Sequence, residues 1–178
     1  MNLAEAASKA GKTPAELVVE LLAEDAPGTL GAFSGMSEDN LKRILAQEWV
    51  CCGTDETARP ADYSFGRSHP RGFGSFPRFI RLLREQQVPM AETVRRLTSL
   101  PAGVFRLKNR GQIRPGMSAD LVVFDEEKLS TKADFSQPHA PADGIIQVFV
   151  NGVPAYDGQT KKVTARAGRV LRRTTFPA

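Results

Sequence analysis

Two short apolar runs, Thr29-Leu30-Gly31-Ala32-Phe33 and Trp49-Val50-Cys51-Cys52, set the tightest limit on what this chain can fold into. Each reads as a buried strand. The first follows a helix expected over residues 14–24, where Thr13-Pro14-Ala15-Glu16 forms a capping box and Leu17, Val18, Leu21 and Leu22 recur at helical spacing. The second follows a helix that Ser37 can cap, with Glu38 and Asp39 in its first turn and Leu41, Ile44 and Leu45 on its inner stripe. Helix, strand, helix, strand suits a parallel α/β layer. Yet two or three such units cannot close a barrel, and an open parallel sheet this small leaves apolar edges unpaired. Eight units need roughly 250 residues, and this chain has 178. The α/β portion therefore reads as the end of something larger, with a compact α+β arrangement as the alternative.

The remaining pattern is less regular. Residues 2–10 are Ala-rich and weakly helical. Residues 56–75 form a long loop rich in Gly, Pro, Arg and aromatics, of a length that usually marks a functional or mobile segment. Two helices follow, one marked by Phe79, Ile80, Leu82 and Leu83, the other by Val94, Leu97 and Leu100; Phe76-Pro77-Arg78 is expected to start the first. From Gly111 the pattern turns to β. Residues 112–116 read as a strand running into a turn, 119–124 as a buried strand, and 145–150 as another. Asn151-Gly152 then supplies a two-residue hairpin turn, because both residue types tolerate φ > 0. Residues 153–156 return, and 162–166 add one more strand.

Composition narrows the function classes. With 24 Lys+Arg against 20 Asp+Glu, the net charge of +4 is mild, and the excess sits in residues 67–84 and 166–173. That falls short of the dense basic composition of a nucleic-acid binder. The two cysteines are neighbours, so on a strand they point to opposite faces and make no disulfide framework. They read as reduced thiols beside a core, or more sharply as a catalytic or metal-binding thiol. No signal-peptide pattern opens the chain and no apolar run reaches a membrane-spanning length, so a soluble cytoplasmic protein without membrane contact is expected. Phosphate-binding Gly loops, Gly-x-Ser-x-Gly elbows and dinucleotide fingerprints are absent.

Several segments carry a resemblance. They are Met36-Ser37-Glu38-Asp39-Asn40, Cys52-Gly53-Thr54-Asp55, residues 68–78 with His69-Pro70-Arg71 and Phe76-Pro77-Arg78, and residues 97–102. Further on come residues 110–125 with Pro115-Gly116-Met117-Ser118-Ala119-Asp120-Leu121-Val122-Val123-Phe124-Asp125, then Val148-Phe149-Val150-Asn151-Gly152 and Gly168-Arg169-Val170-Leu171-Arg172-Arg173. Together they resemble the N-acyl-D-amino-acid deacylases of the amidohydrolase superfamily, in that family's order and over nearly the whole chain. The resemblance implies α/β plus β: a TIM-like barrel of which residues 1–108 are the last two β-α units, then residues 109–178 as the C-terminal share of a small β-sandwich. Residues 29–33 and 49–52 would be the seventh and eighth barrel strands, and the first six would be missing.

The same resemblance assigns chemistry. Amide hydrolysis needs an activated water, a polarised carbonyl and a proton for the leaving amine; the family uses zinc for the first two and an Asp after the eighth strand as proton carrier. Asp55 stands at that position. On its residues alone it is as easily a turn or cap residue. Relatives have Ser-Asp-Gly where this chain has Thr54-Asp55-Glu56, which keeps the hydroxyl but places a negative charge beside the base. Arg71 is assigned to the carboxylate of an N-acyl amino acid, which its fork can grip through two parallel hydrogen bonds. His69 shapes the loop or contacts substrate, and Tyr63 and Phe65 line an acyl pocket or pack over the barrel mouth. No metal ligand set is expected in this chain: His69 and His139 are its only histidines, and the latter reads as structural. Three readings result. The chain is part of a zinc-dependent deacylase that needs the missing N-terminal portion, or a stand-alone non-catalytic module that forms a homodimer or binds another protein, or, last, a nucleic-acid binder using Arg166, Arg169, Arg172 and Arg173.

Overall fold

A computed structural model of the chain describes residues 1–171; Arg172 and Arg173 of the basic tail lie outside them. The chain divides into two compact units, residues 1–37 and the chain from Glu38 onward.

The first unit is a pair of capped helices, α1 (Leu3–Lys9) and α2 (Pro14–Asp25). Each opens with a capping box. The Asn2 side chain accepts the Glu5 N–H while the Glu5 carboxylate accepts the Asn2 N–H, and Thr13 and Glu16 repeat the exchange. Lys12 is paired with Glu20. Ala7 is buried, Leu17 and Val18 are half-buried, and Leu21 and Leu22 are exposed. Residues 30–36 follow without regular structure.

The second unit begins with α3 (Glu38–Leu45), α4 (Arg71–Glu85), α5 (Met90–Leu97) and α6 (Ser99–Val104). Leu45, Phe79 and Leu83 form its core, with Leu41, Val50, Cys52, Leu82, Val88 and Leu97 packed around them. A four-stranded antiparallel sheet completes it: β1 (Leu121–Phe124), β2 (Ile145–Val150), β3 (Val153–Asp157) and β4 (Lys162–Val163), in the order β1-β2-β3-β4. The β2–β3 turn has Asn151 at φ 50° and Gly152 at φ 80°, the left-handed pair a two-residue hairpin needs.

Three expectations are corrected. Residues 29–33 and 49–52 are not strands, and no parallel pair occurs among the described residues. A strand exists only as a member of a ladder, and neither segment has a partner among the described residues; Phe33 is 95% exposed and Trp49 73%. Residues 112–116 are irregular for the same reason. Finally, α4 starts at Arg71, inside the expected loop, and runs through Pro77. Gly72 and Gly74 disguise that first turn as loop, but Gly74 is buried where a Cβ would lie 3.3 Å from Ala133 Cβ and Thr131 Oγ1. Among the described residues no helix is long and apolar enough to cross a membrane.

Candidate active site

Asp55 follows Gly53 in a segment without regular secondary structure, within a local turn closed by the Thr54 side chain. Its backbone is left-handed, φ 49°, a conformation Asp tolerates better than most side chains. The Thr54 hydroxyl accepts the Glu56 N–H at 3.3 Å, so the hydroxyl that Thr shares with Ser holds this turn. Glu56 itself is outside the left-handed region, and its presence in place of Gly leaves the turn's backbone unstrained at that residue. The Asp55 side chain is 93% exposed.

Arg71, the first residue of α4, reaches back to this turn. Its Nη1 lies 3.2 Å from Asp55 Oδ2 and its Nε lies 3.5 Å from Glu56 Oε2. Glu56 is far less exposed than Asp55, wedged between Arg71 and Arg59, whose Nε is 3.5 Å from Glu56 Oε1. Burial pushes the Glu56 carboxyl up, but the Thr57 backbone N–H and the guanidinium groups of Arg71 and Arg59 outweigh it and hold it below the ordinary carboxylate range. His69 places Arg71 rather than facing it: its Nδ1 accepts the Arg71 backbone N–H at 3.1 Å, taking up one of the helix's free donors. The His69 ring meets Phe135 edge-on at 5.0 Å. Asp55, Arg71 and His69 are thus brought together. Phe65 is 71% exposed and Tyr63 stacks on His139.

Two consequences lay beyond the sequence. The charge noted at Glu56 sits against the Arg71 guanidinium, and His139, read as structural, is a buried hub joining the 56–70 segment to the loop before β2. Both depend on partners that meet only in the fold.

Zinc, which the resemblance implies, does not fit these residues. Among the described residues no three His, Cys, Asp or Glu side chains are placed to hold a metal ion. Several of the donors are otherwise engaged. Both nitrogens of His139 have partners, His69 Nδ1 holds the Arg71 N–H, and Asp55 is paired with Arg71. Burial, and then the neighbouring Cys51, pushes the Cys52 thiol up to about 11, which disfavours its thiolate form. Cys52 instead lines a small apolar hollow of about 230 Å³ with Leu41, Leu45, Phe79 and Leu82.

Comparison with known proteins gives the site its context. The amidohydrolase family pattern matches residues 3–156. The chain is 37% identical over 175 residues to the D-aminoacylase of Alcaligenes xylosoxydans xylosoxydans, covering 97% of this chain and 34% of that protein. A solved D-aminoacylase, described with a binuclear metal centre, superposes with a TM-score of 0.76 at 37% identity, over 97% of this chain and 35% of that one. The N-acyl-D-glutamate deacylase of Bordetella bronchiseptica, solved with zinc and a phosphonate mimic of the tetrahedral intermediate, gives 0.68 at 34% identity, over 88% and 32%. The chain therefore spans about a third of the length of the relatives it matches.

Proposed function

The chain belongs to the amidohydrolase family, and on that premise we propose that it is the C-terminal part of a metal-dependent deacylase of the D-aminoacylase type, hydrolysing the amide bond of N-acyl amino acids. In this reading residues 1–108 supply the end of the hydrolase barrel, and residues 109–178 supply the C-terminal share of a composite β-sandwich. The other barrel strands and the zinc ligands belong to an N-terminal portion outside these 178 residues, and the chain is inactive without it. Its two free thiols suit a cytoplasmic setting.

The observation that carries the proposal is the Asp55–Arg71 pairing at 3.2 Å. Hydrolysis of an N-acyl amino acid needs a proton carrier at the amide and a cation at the carboxylate one carbon away, so the two groups must be neighbours. Asp55 takes the proton of the attacking water and delivers it to the leaving amine. Arg71 offers its fork to the substrate carboxylate, which must displace Asp55 or Glu56 from it. His69 keeps the start of α4, and with it Arg71, in place.

The test is complementation. The chain is mixed with the N-terminal two thirds of a D-aminoacylase carrying its metal, and N-acyl-D-amino-acid hydrolysis is followed; that relative's own C-terminal third serves as control. Activity should appear and fall about 10²- to 10⁴-fold with Asp55→Asn. A control that complements while this chain does not would refute the reading.

A second reading, a stand-alone module that dimerises or binds another protein, is supported by the large apolar side chains left at the surface, Trp49 (73%) and Phe33 (95%) among them. Sedimentation of the chain alone as a dimer over a wide concentration range would favour it.

A further inference from the structure

Whatever Arg71 binds, its position must be fixed; His69 holds the Arg71 backbone N–H locally, but the segment that carries His69 needs a hold of its own. The 56–70 segment carries no helix or strand, and Pro70 caps α4 without a side-chain hydrogen bond. The loop that runs from β1 to β2 supplies the hold. There His139 is 5% exposed. Its ring stacks on Tyr63 at 4.3 Å between centroids and 14° between planes, and on Phe73 at 5.1 Å and 18°.

Both ring nitrogens are committed. Nε2 lies 3.3 Å from the Ser68 backbone nitrogen and 2.9 Å from Ser68 Oγ, and Nδ1 lies 3.3 Å from the Asp62 carbonyl oxygen. A backbone N–H can only donate and a carbonyl can only accept, so these partners assign the neutral tautomer with its proton on Nδ1. Asp62, Tyr63, Ser68 and Phe73 all belong to the stretch that delivers His69 and Arg71. One imidazole thus holds that stretch at three residues before Arg71 and one just after it. Arg67 adds a bond to the Ser136 carbonyl at 2.9 Å and lies over the Tyr63 ring at 5.7 Å, but it is exposed where His139 is buried.

We infer that His139 is a positioning residue for the carboxylate-binding end of the site, acting through Ser68 and Phe73 to set where Arg71 and His69 stand. Its bearing on catalysis rests on the deacylase reading; its hold on the loop does not. A ring that served only to fill space would need its planar faces and neither nitrogen. A positioning ring needs the lone pair at Nε2, and this difference can be measured.

Amide hydrogen exchange is compared in the full chain for the natural protein, His139→Phe and His139→Gln, with the imidazole ¹⁵N spectrum of the natural protein. Phe keeps a flat ring for Tyr63 and Phe73 but has no acceptor. Gln loses the ring but can turn an amide oxygen toward Ser68. The expected result is an unprotonated Nε2, Ser68 exchange about tenfold faster in His139→Phe with β2 and β3 unchanged, and most of that protection regained in His139→Gln. In the complemented enzyme His139→Phe should raise KM for the N-acyl amino acid about tenfold while kcat moves less than about threefold. Unaltered Ser68 exchange in His139→Phe, equal loosening of β2 and β3, or a proton on Nε2 would each overturn the inference. If the natural chain gives no complemented activity the deacylase reading fails, while the exchange and ¹⁵N results still decide whether His139 holds the loop.

Discussion

Glu56 is where this chain's own charge competes with the substrate proposed for it. A guanidinium that already lies 3.2 Å from one carboxylate and 3.5 Å from another must give one up before it can grip a third. Asp55 is the more exposed of the two and the easier to displace; Glu56 is packed beneath Arg59 and stays. Glu56→Gln keeps the side chain's shape and its contact with Gly72 while removing the charge. In the complemented enzyme it should lower KM about two- to fivefold with kcat unchanged, the range of one partly solvated ion pair. An unmoved KM would mean that Arg71 is not the carboxylate grip. The sequence made Asp55, His69 and Arg71 legible as candidates because their spacing follows a family pattern. It made the departure at Glu56 visible too, but not its consequence, which depends on Arg59 and Arg71 converging from either side.

At the scale of elements, whatever is held by neighbours in sequence was readable and whatever is held across the chain was not. The Thr13–Glu16 capping box, the core stripe of α4 and the Asn151-Gly152 turn follow from local chemistry; the Asn2–Glu5 box is equally local but went unread. The strand expectations for residues 29–33 and 49–52 failed because burial of an apolar run requires partners that periodicity cannot provide. The most consequential tie missed is between α5 and the end of α3. Arg96, 2% exposed, donates to the Leu45 carbonyl at 2.7 Å at the C-terminus of α3 and to the Gln47 carbonyl at 3.0 Å just beyond it, where Gln47 also accepts the Val50 N–H. Glu92 holds both Arg95 and Arg96. Arg96→Met keeps the aliphatic stem and should cost about 2–3 kcal/mol in urea denaturation at neutral pH; a loss below about 0.5 kcal/mol would show those carbonyls to be equally well served by water. Hydrogen bonds from Arg95 and Arg96 pull the Glu92 carboxyl from 4.5 down to about 2. A depressed folded pKa means the unfolded chain takes up the proton first. Glu92's contribution is therefore complete above pH 4.5 and drains away as pH falls toward about 2. Part of the acid-induced loss of stability in that window should vanish in Arg96→Met, with Arg95 retaining the rest.

For the whole molecule, the two segments that fail to be strands become its most informative probes. Residues 30–36 have no regular structure, and Leu30, Phe33 and Met36 are 87%, 95% and 75% exposed. Residues 51–55 likewise belong to no ladder. Exposed backbone without secondary structure exchanges its amide hydrogens at nearly the rate of an unfolded chain, whereas β2 and β3, hydrogen-bonded to each other, exchange only on opening of the sheet. In the chain alone, residues 30–36 and 51–55 should therefore exchange within about tenfold of the unfolded rate. If residues 29–33 and 49–52, which these segments overlap, are the last two barrel strands, the complementing portion brings a partner to each, and both segments should slow by about a hundredfold or more on mixing while β2 and β3 change little. A stand-alone module that dimerises predicts something else: protection that rises with this chain's own concentration and ignores the added portion. Should catalysis be restored without protection of either segment, Asp55 would be working on a scaffold other than the barrel, and the assignment of residues 1–108 would fall even though the chemistry stood.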